Sequence, residues 1–141
     1  MQETYYFHLF LARIAEGKTK EYDTYVFDEE NNNPLFFKEL GINNYIPDDY
    51  GLEVLQPDFR YEFPLSELLF SSLVKSEDIK KIEIFCQKEN ISPNSYVTLY
   101  RQGLKIPKNI KLSYPDLHYV GEFEMDKNAL ESEKEAYPHL F

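Results

Sequence analysis

Residues Tyr5 to Ile14, "YYFHLFLARI", are apolar at both sets of alternating positions apart from His8 and Arg13, the pattern of a central strand covered on both faces. Gly17 breaks the run. Tyr22, Tyr25 and Val26 then fall at i, i+3 and i+4, which predicts a short helix from about Thr19 to Phe27 laid over one sheet face. "PLFFKELG" predicts a second short helix, with Asn33 and Pro34 as N-cap and first helical residue and Gly41 as terminator. "IPDDYG" reads as a turn, because Pro47 presets its own dihedral, the two aspartates reach nearby amides and Gly51 accepts a left-handed backbone.

A short strand is expected at Leu52 to Leu55. "PDFRYEFP" sets Phe59, Tyr61 and Phe63 against Asp58, Arg60 and Glu62, as an edge strand or an extended loop. "PLSELLFSSL" and "SEDIKKIEIFCQKEN" read as consecutive helices, the second capped by Ser76 and burying Ile79, Ile82, Phe85 and Cys86. "SYVTLYRQG" and "LHYVGEFEM" read as strands, expected to pair as antiparallel neighbours; in the latter Leu117, Tyr119, Phe123 and Met125 alternate with His118, Glu122 and Glu124. Between them lies a lysine-bearing connection, with a short strand expected at Ile110 to Ser113. The elements sum to one α+β domain over residues 1–125, a mostly antiparallel sheet with helices packed on it. A charged, helix-prone tail, 126–141, follows and either docks back through "YPHLF" or frays.

Size changes this picture little: 141 residues with 43% hydrophobic content supply one core without staples. Charge changes it more. Residues 21–67 hold twelve acids against Lys38 and Arg60, a net of -10 equal to that of the whole chain, while residues 68–115 carry eight bases and four acids. Such a stretch repels nucleic acid and anionic lipid and attracts cationic proteins. Cys86 is the single cysteine and cannot form an intramolecular disulfide; the start lacks the basic and then apolar pattern of a secretory signal, so the expected location is cytoplasmic. No apolar stretch approaches the roughly 20 residues of a membrane span.

The chemistry-bearing residues are sparse. His8, His118, His139 and Cys86 show no metal-ligand spacing, and His8 with His118 on two strands is the one pairing a zinc or small-molecule site could use. Asp48 and Asp49 are adjacent, so they point apart and suit a turn better than general acid-base work. No phosphate loop, nucleophile elbow or metalloprotease helix is present, and neither an enzyme nor a cofactor is expected. Arg101, Lys105, Lys108 and Lys111 beside Tyr100 and Tyr114 form a basic strip, which against a total of -10 suits protection of a sheet edge better than binding of nucleic acid. A surface for a cationic protein survives these tests. Its candidates are Asp28, Glu29, Glu30, Tyr45, Asp48, Asp49, Tyr50, Glu53, Asp58, Tyr61 and Glu62, acids for steering and tyrosines for anchoring. The competing reading for the tyrosines is that they cover the core.

The order of "YYFHLFLARI", "FFKELGINNYIPDDYGLEV", the helical pair, "NSYVTLYR" and "LHYVGEFEM", over most of residues 4–125, resembles the Immunity protein 22 family of bacterial polymorphic toxin systems. "ELGINNYIPDDYGLE" and "YVGEFEM" carry most of the likeness. The resemblance implies a small cytoplasmic α+β protein that binds and blocks a cognate toxin, often a nuclease, without catalysis. This chain departs from that pattern in having no tryptophan and in its tail beyond Met125.

Overall fold

The computed structural model describes residues 4–27, 34–42, 50–59, 64–70 and 72–141. Strand β1, Tyr6–Ala12, buries every side chain from Phe7 onward, His8 included. Phe7, Leu9 and Leu11 enter one apolar cluster, and Phe10 and Ala12 enter another on the opposite face. A strand apolar on both faces belongs at the centre of a sheet, and that is its place.

Strands β2 (Glu53–Leu55), β3 (Ser95–Leu99) and β4 (Leu117–Glu124) complete an antiparallel sheet of order β2-β3-β1-β4. The two late strands are therefore not neighbours as expected, because β1 sits between them. Their connection runs alongside β1: Gln102 bonds the backbone of Tyr6 at 3.1 and 2.9 Å, Leu104 accepts from His8, and Arg13 N donates to Asp116 O. Asn94 lengthens the β1 to β3 pairing, its side chain accepting from Ile14 N at 2.9 Å and donating to Ile14 O at 3.0 Å.

β4 departs from simple alternation. Leu9 pairs with Gly121 and Phe10 with Tyr119, so Val120 is an extra residue, a β-bulge. Gly121 supplies the unusual backbone, φ +148°. Leu117 and Tyr119 consequently join the cluster of Phe10, whereas Phe123 and Met125 join that of Phe7.

Helices cover both faces. Over the Phe10 side lie α1 (Thr19–Val26), burying Tyr22, Tyr25 and Val26, and α2 (Leu35–Glu39), burying Phe36 and Phe37. Pro34 occupies the N-cap position of α2, and Gly41 at φ +82° ends it; Asn33, the expected cap, lies outside the described residues. Over the Phe7 side lie α3 (Leu65–Leu68), α4 (Ile79–Glu89) and α5 (Lys127–Ala136). Ile82 and Cys86 are buried on α4, while Ile79 and Phe85, expected in the same stripe, are only half-buried. Ser76 does not cap it; Ser76–Asp78 wind as a tighter 3₁₀ turn closed by Asp78 N to Lys75 O at 3.0 Å.

No strand forms at 110–113, because Ile110 N turns back to Pro107 O and Ser113 N is taken by the Glu39 carboxylate. Pro57 to Phe59 lie in no strand, and residues 60–63 lie outside the described residues. Of the two outcomes open to the tail, docking is observed: Asp126 caps α5 through Asn128 N and Ala129 N, and Leu130 and Leu140 enter the core.

Candidate functional site

Of the eleven candidate residues, Tyr50, Glu53 and Asp58 are described; Asp28, Glu29, Glu30, Tyr45, Asp48, Asp49, Tyr61 and Glu62 lie outside the described residues. The three have different surroundings.

Tyr50 is half-buried. Its ring meets Phe37 of α2 edge-on, with centroids 5.8 Å apart, and the Arg101 guanidinium lies 4.9 Å from its centroid. Its carbonyl accepts from Tyr100 N and Arg101 N. The ring thus ties the segment before β2 to α2 and to the connection after β3, and the Arg101 stack occupies part of its surface. It borders a cleft of about 690 Å³ with Ile42, Arg101, Leu104 and Lys105.

Glu53 begins β2 opposite Thr98, on the face that carries Tyr96 and Tyr100. Burial first, and then the hydrogen bond to and charge of Glu133, push its carboxyl up to about 8. Glu53 is therefore turned toward its own core, where burial and the neighbouring acid favour its neutral form. It is not one of the solvated acids expected to steer a partner, because an antiparallel partner strand fixes which face its side chain takes. Glu133 also accepts from the Tyr100 hydroxyl at 2.7 Å. Glu133 stands in the tail, and no sequence signal pointed to it.

Asp58 borders an open groove of about 650 Å³, with Leu55, Glu67, Leu68, Phe70 and Tyr96 around it. Phe70 is 86% exposed, and Leu55 and Phe59 are also exposed. Phe70 could have been found in the sequence: Leu65, Leu68 and Leu69 fill the i, i+3, i+4 positions of that helix and leave Phe70 off the buried stripe. This corner, where β2 ends and α3 begins, joins carboxylates to accessible apolar side chains, a composition suited to contact with another protein.

Glu39, another acid of the 21–67 stretch, is also engaged internally. The Tyr25 hydroxyl and Ser113 N both donate to its Oε1, the latter at 2.9 Å. Burial works to raise its pKa, but these hydrogen bonds prevail and hold it below the ordinary carboxylate value. Burial, and then Glu39, push the Tyr25 phenol up.

The alternative pair does not converge. His8 stands opposite Glu122 and His118 opposite Leu11, an even and an odd position of β1, so the two imidazoles leave the sheet on opposite faces. His8 is 3% exposed; its Nε2 donates to Leu104 O at 2.7 Å, so in the neutral ring Nδ1 accepts from the Tyr119 hydroxyl at 2.8 Å. Its geometry pins the connection to β1. Among the described residues no three His, Cys, Asp or Glu side chains gather to hold a metal, and no helix is long and apolar enough to cross a membrane. Cys86 is buried in the core, and desolvation, then Glu83, push its thiol up, the reverse of what a nucleophile needs. In the basic strip Arg101, Lys105, Lys108 and Lys111 are exposed, but Tyr100 is fully buried and offers no stacking platform.

Comparison with protein-family models, with curated proteins and with solved structures finds no match.

Proposed function

We propose that this protein is a non-catalytic inhibitor that binds a cationic protein, and that its target is a toxin of a bacterial polymorphic system, a nuclease foremost. The observation that carries the reading is the segregation of charge: residues 21–67 hold the equivalent of the entire net charge of -10. A nuclease presents a basic surface to its substrate, and an acidic protein competes for that surface and reaches it quickly. The accessible Leu55, Phe59 and Phe70 beside Asp58 support the same reading, since charge steers an encounter while apolar anchors hold it. Glu39 and Glu53, being turned to internal partners, are excluded from the docking face, which draws its charge from the acids at 28–30, 48–49 and 62, with Asp58 beside the apolar corner. The order of sequence blocks similar to Immunity protein 22 supplies the toxin class and a cytoplasmic location.

The test is co-expression with candidate cationic toxin domains, read by growth and then by binding kinetics. Asp48→Lys, Asp49→Lys and Asp58→Lys together are expected to slow association at least tenfold at low salt and to abolish protection. Affinity indifferent to this triple reversal would overturn the choice of face.

A further inference from the structure

Two hollows adjoin at the corner where β2 ends. One, of about 650 Å³, has buried Tyr96 and Leu68 as its floor and exposed Leu55 and Phe70 at its sides; the other, of about 530 Å³, is bordered by Pro57 and Phe59. They share Gln56 and Asp58 and so form one track. Six large apolar side chains are exposed among the described residues, and three of them, Leu55, Phe59 and Phe70, stand along this track, a concentration that singly scattered surface residues do not give. Its charged residues are Glu16, Asp58 and Glu67, all carboxylates, with no lysine, arginine or histidine among the described residues that line it. Tyr96 is 6% exposed, and its hydroxyl bonds to no described residue, so an incoming polar group can take it. Asp58 and Glu67 have contacts of their own, but a carboxylate accepts from several donors and can serve a partner as well.

We propose that this track holds a segment of a cationic protein in which apolar side chains alternate with lysine or arginine, the apolar ones entering beside Phe70 and Phe59 and the cations meeting Glu16, Asp58 and Glu67. The inference rests on the reading of this protein as a binder of a cationic protein, and it holds whether or not that protein is a toxin. An apolar track edged by carboxylates alone rejects an acidic segment through charge, and a purely polar one gains nothing from its floor. The division of labour follows: acids elsewhere in residues 21–67 speed the encounter, and the track slows the departure.

The test uses the full chain and three short synthetic peptides, one alternating leucine with lysine, one leucine with glutamate and one serine with lysine. Binding is read by fluorescence anisotropy and located by backbone amide NMR. The leucine/lysine peptide is expected to bind at least about tenfold more tightly than either control and to move the amide resonances of Leu55, Glu67, Phe70 and Tyr96. Phe70→Ala should weaken that binding about tenfold, chiefly through faster dissociation, and leave the urea midpoint unchanged because Phe70 is 86% exposed. No binding of the leucine/lysine peptide, equal binding of either control, resonance shifts centred elsewhere, or full affinity in Phe70→Ala overturns the proposal. No toxin enters this test, so its failure leaves the growth assay to judge the toxin reading, and loss of protection in the growth assay leaves a positive result here standing.

Discussion

Replacing Gly51 with alanine imposes two separable costs. Gly51 has φ +63°, a left-handed conformation that costs an L-residue about 1–2 kcal/mol. The new Cβ would also stand 2.6 Å from Cδ1 of Tyr100 and 2.7 Å from Cε1 and Cγ, closer than such atoms approach. Relief by moving the ring is blocked, because Tyr100 is fully buried, stacked on Phe141 and bonded through its hydroxyl to Glu133. Overpacking of this kind costs about 1–3 kcal/mol, so Gly51→Ala should lose about 2–5 kcal/mol in all. Gly17 at φ +90° and Gly103 at φ +85° provide the control, having nothing within 4 Å of an added Cβ. Alanine there should cost only the backbone share, about 1–2 kcal/mol. The assay is equilibrium urea denaturation followed by circular dichroism, comparing midpoints at constant slope. If Gly51→Ala proves no worse than Gly17→Ala and Gly103→Ala, the ring does not lie under Gly51 and the packing described for Tyr100 is refuted.

Three other substitutions probe separate contacts. Asn94→Ala strips both hydrogen bonds from buried Ile14, and at about 1–3 kcal/mol for each orphaned group it should cost roughly 2–6 kcal/mol; a native denaturation midpoint would contradict the pairing. Thr98 is fully buried, and its hydroxyl has no partner among the described residues, so Thr98→Val should leave the urea midpoint unchanged or raise it, by up to about 1 kcal/mol. Glu39 has a lowered pKa when folded, so its stabilising contribution is present above the ordinary carboxylate value and is lost as pH falls through the lowered one. Denaturation measured from about pH 6 down to about pH 3 should therefore show a shallower loss of stability in Glu39→Gln than in the native protein, and identical slopes would remove Glu39 from the account.

The elements were legible where burial and periodicity agree. β1 could be placed at the centre because both its faces are apolar; α1 and α4 follow from helical spacing of Tyr22 with Val26 and Ile82 with Cys86, and α2 from Pro34 at its start and Gly41 at its end. Strand order was not legible. Adjacency of β3 and β4 in the chain suggested a pair, yet nothing local to either records that β1 fills the space between them. The acids of residues 21–67 were countable, but a count does not distinguish a carboxylate in water from Glu39 under Tyr25 or Glu53 against Glu133. Those outcomes depend on partners dozens of residues away, which only the fold brings together.

The extra residue at Val120 leaves a mark on how the length of this chain can vary. Losing one residue from the interior of a strand ordinarily turns everything beyond it inside out. Excising Val120 would leave Tyr119 opposite Phe10 and Gly121 opposite Leu9, where they stand already, so β4 can lose that position and still deliver Phe123 and Met125 to the layer they fill.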